Sequence, residues 1–219
     1  MLTVKKISFP CNNPPLRLAE KMMDSAGVAF CNLSNNNWDR EFPYSPDVKF
    51  RIAWSSEEIF IQFIVKEEHI RAVYTQDSGS LPYKDSCVEF FMIPPGSDNY
   101  YNLEMNCIGI GTFACGPERN ERTRFGADVL SKIRRISSLG SEAIELKSGG
   151  IEWKLTIAVP LILYGIQSYH LLLNKEVRAN FYKCGDELPM KHYLSWSAVK
   201  SEKPDFHTPQ FFGRLLFKA

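Results

Sequence analysis

The stretch Val48–Val65 reads "VKFRIAWSSEEIFIQFIV" and decides the fold class. Successive side chains of a strand point to opposite faces. Val48, Phe50, Ile52 and Trp54 therefore share one face, with Lys49 and Arg51 opposite. "SSEE" turns the chain, and Ile59, Ile61, Phe63 and Val65 share the next face. Two period-two segments around a polar turn read as a β-hairpin. The same alternation recurs in "IEWKLTIAVP", where Ile151, Trp153, Leu155, Ile157 and Val159 face inward until Pro160 ends the run. It recurs again over 86–93 and 100–108 and, near the C-terminus, in "RANFYKC", "HYLSWSAV" and "GRLLFKA".

Helix is scarce. "PPLRLAEKMMDSAG" has Pro where a helix begins and Gly27 where it stops, and "PLILYGI" suits a single turn. Gly116–Gly150 holds the polar loop "RNERTRFG" and the short strand candidates "KIRRIS" and "EAIEL". Many strands with turn signals between them predict an all-β chain, an antiparallel β-sandwich of jelly-roll or immunoglobulin-like type with one or two short helices. The expectation is a single domain over 1–219, with 1–45 an irregular segment packed on it.

The chain has 219 residues, enough for one large core, and its 44% hydrophobic and 23% charged content suits a globular protein. Lys+Arg 26 against Asp+Glu 25 leaves no general positive field for gripping nucleic acid. No apolar run is long enough for a membrane span. "MLTVKKISFPCNNPP" lacks the apolar core of a secretory signal. As it stands the sequence reads as cytoplasmic, or as periplasmic or secreted after removal of a leader. Oligomeric state leaves no trace in the pattern. The six cysteines form no C-x-x-C pair and read as small buried hydrophobes, with no bridge between Cys87 and Cys107, which alternation sends to opposite faces. No cofactor and no metal site is expected.

Glu89 lies in the middle of the strand within "LPYKDSCVEFF", six residues after Tyr83. If that strand pairs with "YYNLEMNCI", Val88, Phe90 and Met92 join Leu103 and Met105 on the core face. Glu89 then joins Asn102, Glu104 and Asn106 in a polar row on the outer face. Carboxylates and amides accept from and donate to hydroxyls, and aromatic rings stack on the C–H face of a pyranose, so such a row suits sugar recognition. A row of this kind also suits a plain solvated sheet face. Glu89 and Glu104 could also serve as the carboxylate pair of a glycoside hydrolase. A third class is a structural, protein-interaction or haem-binding sandwich. Cys184 and His192 are conceivable as a nucleophile pair but lack a third member. Asp85 reads as a brace for the Tyr83 loop, and His207, beside Phe206, as a candidate sugar contact.

"PYKDSCVEFF", "YYNLEMNCIG", "LSW" and "FHTPQFFGRLLF", in that order, resemble the family 9 carbohydrate-binding modules over most of the chain from about Val48 on. The resemblance implies a β-sandwich that binds the terminal sugar of an oligo- or polysaccharide between two aromatics, without cleaving it, in carbohydrate catabolism. The clamp aromatics fall on Tyr83 and Phe206, the hydroxyl acceptor on Glu89 and the amide of the next strand on Asn106. Asn180 and Tyr182 fall on a polar strand near the ligand. Departures are a Tyr and a Phe where the family usually has Trp, and Glu104 where a known member has Arg. The family's structural calcium finds no run of Asp residues here.

Overall fold

The computed structural model describes every residue except Asn12 and Ser78. Among the described residues, fourteen strands run in chain order as β1 Leu2–Lys6, β2 Cys31–Asn32, β3 Asn35–Asn36, β4 Asp47–Trp54, β5 Glu58–Ala72, β6 Cys87–Ile93 and β7 Tyr100–Asn106, then β8 Gly111–Gly116, β9 Thr123–Arg124, β10 Arg134–Ser137, β11 Ile144–Pro160, β12 Glu176–Cys184, β13 Tyr193–Ser195 and β14 Gly213–Lys218. Two helices, α1 Leu16–Ser25 and α2 Ala127–Leu130, and several single 3₁₀ turns complete the chain.

One curled sheet follows the order β10-β11-β5-β4-β1-β14-β12-β6-β7-β8-β9. Its two halves face each other as the layers of a sandwich. Phe50 of β4 stacks on Phe181 of β12 with ring centroids 3.8 Å apart, and Trp54 meets Phe217 of β14 edge-on at 5.5 Å. Val88, Phe90 and Met92 join Leu103 and Met105 in this core, and Phe50, Ile61 and Trp153 are buried there too, as alternation predicts.

The sheet is not wholly antiparallel. β1 runs parallel to both β4 and β14 and joins the two layers. The segment expected to be irregular over 1–45 thus contributes three sheet strands, β1, β2 and β3, beside the expected helix. "MLTVKK" is too short and too polar for its alternation to stand out, because only Val4 is fully buried along it. "EAIEL" and "IEWKLTIAVP" are one strand, β11. Gly149 and Gly150 take φ of 116° and 68°, so the ladder slips register between Ser148 and Ile151 and resumes.

α1 starts after Pro15 and stops before Gly27, whose φ is 59°. Its Leu16, Ala19 and Met23 cover Ala53, Phe60 and Ala158 on the outer face of the first layer. The second layer is covered differently. Cys87, Phe91, Tyr100, Tyr182, Cys184, Phe206 and Phe212 form a second apolar cluster on its outer face. Strands β6, β7 and β12 are therefore buried on both sides, which explains the nearly continuous apolar run "CVEFFMI".

Candidate ligand cavity

A cavity of about 330 Å³ opens on the outer face of the second layer. Small-molecule sites begin at about this size. Its floor comes from three adjacent strands: Glu89 of β6, Glu104 of β7 and Cys184 of β12. Glu89 pairs with Glu104 across one ladder and with Tyr182 across the other. Four loops wall it with Tyr83, with Arg119, Asn120, Arg122 and Arg124, with Asp186 and Tyr193, and with Pro204, Phe206 and His207.

The polar row of the sequence reading exists, but it is covered. Asn102, Glu104, Asn106 and Glu89 are each at most 6% exposed, because the loops close over the strand face. Burial, then the neighbouring Glu104, pushes the Glu89 carboxyl well above the usual carboxylate range. The upward shift favours the protonated acid, which offers a donor as well as an acceptor, over the plain acceptor expected from sequence. The Cys184 thiol donates to its Oε1 at 3.2 Å. Burial also raises Glu104, while Arg122 and Arg124 oppose the rise. Asn102 Nδ2 donates to Glu104 Oε1 at 2.8 Å, and Arg122 Nη1 lies 3.7 Å from the same oxygen.

Tyr83 rides on the 3₁₀ turn Pro82–Lys84. Asp85 braces that turn as expected. Its carboxylate accepts from Arg71 Nη1 at 2.9 Å, from the Val73 and Tyr74 amides and from Asn106 Nδ2. The Tyr83 carbonyl accepts from the Asp186 amide at 3.0 Å, and Lys84 and Arg71 both pair with Glu187, so two walls are tied together.

Phe206 stacks on Tyr182 with centroids 4.1 Å apart and planes 12° from parallel, and the Tyr182 hydroxyl donates to the Phe206 carbonyl. Tyr182 thus positions Phe206 from below and does not itself line the cavity. His207 Nδ1 and the Tyr100 hydroxyl are hydrogen-bonded at 2.9 Å. Burial, with Arg122, Arg119 and Arg124 nearby, lowers the His207 pKa to about 2, so the ring is neutral.

Five of the eight residues singled out in the sequence, Tyr83, Glu89, Glu104, Phe206 and His207, therefore meet in one cavity. Asn106 and Asn180 lie outside its lining. Asn106 spends its amide on the Tyr74 carbonyl and Asp85, and its oxygen on the Ile108 and Ile110 amides. Asn180 bonds the carbonyl and the amide of Ser197. Cys184 and His192 do not form a pair: His192 Nε2 accepts from the buried Lys183 ammonium at 2.7 Å. The three arginines were not anticipated. "RNERTRFG" reads as a solvated loop, and only the pairing of β9 with β8 brings it over the floor. All six cysteines are free.

A family model described as carbohydrate-binding family 9 matches residues 17–217. A candidate carbohydrate-binding protein from Bacteroides uniformis, known from its crystal structure, is 39% identical, with a TM-score of 0.92 over 99% of this chain and 98% of that one. A family 9 module from Caldicellulosiruptor kristjanssonii in complex with glucose is 10% identical, with a TM-score of 0.59 over 99% of this chain and 95% of that one. In complex with cellotriose that organism's module gives 11% identity and again 0.59, over 99% and 93%. No curated protein matches the chain.

Proposed function

The chain belongs to carbohydrate-binding family 9, and we propose that the cavity over Glu89 holds the terminal ring of an oligo- or polysaccharide without cleaving it. One observation carries this reading: Tyr83 and Phe206, from loops more than a hundred residues apart in the chain, line one cavity with Glu89 and Glu104 at its floor. The aromatics give the apolar contact that the C–H face of a pyranose needs. The floor and the arginines give the polar contact. A hydroxyl is both donor and acceptor. In its protonated form Glu89 donates to a ring or hydroxyl oxygen, Glu104 accepts from a hydroxyl, and the guanidinium groups donate. The expected role is to hold a chain end in carbohydrate catabolism.

Binding is favoured over hydrolysis by how the two carboxyls are placed. Glycosidases flank the scissile bond with two carboxyl groups. Glu89 and Glu104 are direct register partners on adjacent strands, so both rise from one floor on the same side of any ligand.

A glycan array tests the reading, with calorimetric titration of each hit and with glucose and cellotriose as first probes. The expected result is saturable uptake of at least one glycan with no release of reducing sugar. Silence on the array and in both titrations would overturn it. Turnover that vanishes in Glu89→Gln would replace it with the hydrolase reading.

A further inference from the structure

Cys87, Glu89 and Cys184 form a tight triangle that sugar contact alone does not explain. Cys87 and Glu89 are two residues apart on β6 and so leave the same face of the sheet. Cys184 on β12 is the direct register partner of Cys87. Cys184 Sγ stands 3.2 Å from Glu89 Oε1, and Cys87 Sγ stands 4.0 Å from that same oxygen. One ligand atom from each of the three residues lies within 4.8 Å of the other two. All three residues are buried, yet Glu89 and Cys184 line the cavity, so the cluster has a path to solvent.

We propose that Cys87, Cys184 and Glu89 bind one thiophilic divalent cation of the zinc class, with the fourth coordination position open to the cavity. Zinc takes thiolate sulfur at about 2.3 Å and carboxylate oxygen at about 2.0–2.2 Å, in tetrahedral geometry. Ligand atoms in such a site are roughly 3.5–3.8 Å apart. The two sulfur-to-carboxylate distances straddle that range, and the two sulfurs lie within 4.8 Å of each other, so closing on a cation needs shifts of no more than about 1 Å. Two neighbouring strands hold the three side chains, and a site on rigid elements is better pre-organised than one on loops. Two thiolates select zinc, cadmium or cobalt over calcium and magnesium, which take oxygen ligands. The thiol protons, and the Glu89 proton where present, leave to water as the cation enters. The site is separate from the family-implied calcium, for which the donors here are the wrong chemistry. Glu89 would serve either the cation or the sugar, so the test is run without sugar and does not depend on the sugar reading.

Cobalt(II) is the probe, titrated into reduced protein carrying Cys11→Ser, which removes the one fully exposed thiol. The expected result is one cobalt per chain, with a thiolate-to-cobalt band in the near ultraviolet and the intense visible bands of four-coordinate cobalt. Added zinc should erase both. Cys184→Ser should abolish the thiolate band, Cys31→Ser and Cys115→Ser should leave it, and Glu89→Gln should weaken binding at least about tenfold. A circular dichroism spectrum of each variant checks its fold. If Cys184→Ser does not fold, the isosteric Glu89→Gln decides. No thiolate band, a band that survives Cys184→Ser, or affinity unchanged in Glu89→Gln would overturn the proposal.

Discussion

Glu89 is 3% exposed, and burial first and Glu104 second hold its carboxyl well above the usual range. The sign of the pH effect follows from that direction. Between the unfolded and the folded pKa the native state binds more protons than the unfolded one, so stability falls as pH rises through this window. Glu89→Gln removes the titration. We expect its melting temperature, relative to wild type, to climb steadily as pH is raised above the ordinary carboxylate range; a difference that stays flat with pH would show that Glu89 is not held protonated. The two aromatics should behave differently. Tyr83 is half-buried, and Tyr83→Ala should weaken sugar binding roughly tenfold with little change in melting temperature. Phe206 is 7% exposed and stacked on Tyr182, so Phe206→Ala should also cost the fold roughly 3 kcal/mol, read by denaturant titration. At this scale the sequence announced residue types better than environments. Glu89 was visible as a polar residue on the strand face opposite the core, but nothing local told that loops would cover it. Asn106 and Asn180 have the chemistry of ligand contacts, and only their hydrogen bonds show them committed to turns.

The elements around the cavity are held by a few buried polar hubs. Asp85 is fully buried and accepts four hydrogen bonds, from Arg71, two backbone amides and Asn106. Asp85→Ala would strand those donors and leave a part-buried guanidinium without this partner, so it should cost roughly 3–5 kcal/mol. It should also weaken sugar binding, because the turn carrying Tyr83 loses its brace. Loss of affinity at unchanged stability would mean that Asp85 touches ligand instead. The long period-two strands were legible because one face is apolar and the other polar or turned to the covering helix. β9 was not, since two residues of "RTR" carry no period and owe their place to pairing with β8. β11 was split for the opposite reason: Gly149 and Gly150 look like a stop, whereas their positive φ lets the strand bulge and continue.

Across the whole molecule, β1 is the piece that joins the two layers. It pairs in parallel with β14 through Leu2–Lys5 and with β4 through Lys5 and Lys6. Without it, β14 would present an unpaired edge and β4 would keep only its short pairing with β2 on that side, and such edges template aggregation. Deleting residues 1–6 should therefore yield aggregated or unfolded protein, whereas the intact chain should melt in one cooperative step that circular dichroism and tryptophan fluorescence report alike. A folded, monomeric deletion variant would refute this role. Parallel pairing between chain ends is long-range and leaves little local pattern, which is why the sandwich was legible and this junction was not. Among the described residues no helix is long and apolar enough to cross a membrane.

The direct test of the central claim, that the cavity between Tyr83 and Phe206 is where carbohydrate binds, is a calorimetric titration of the best array glycan into wild type and into Tyr83→Ala. The expected result is one site per chain in wild type and an affinity at least about tenfold lower in the folded variant. Equal affinity in the two proteins would place the sugar elsewhere and contradict the claim.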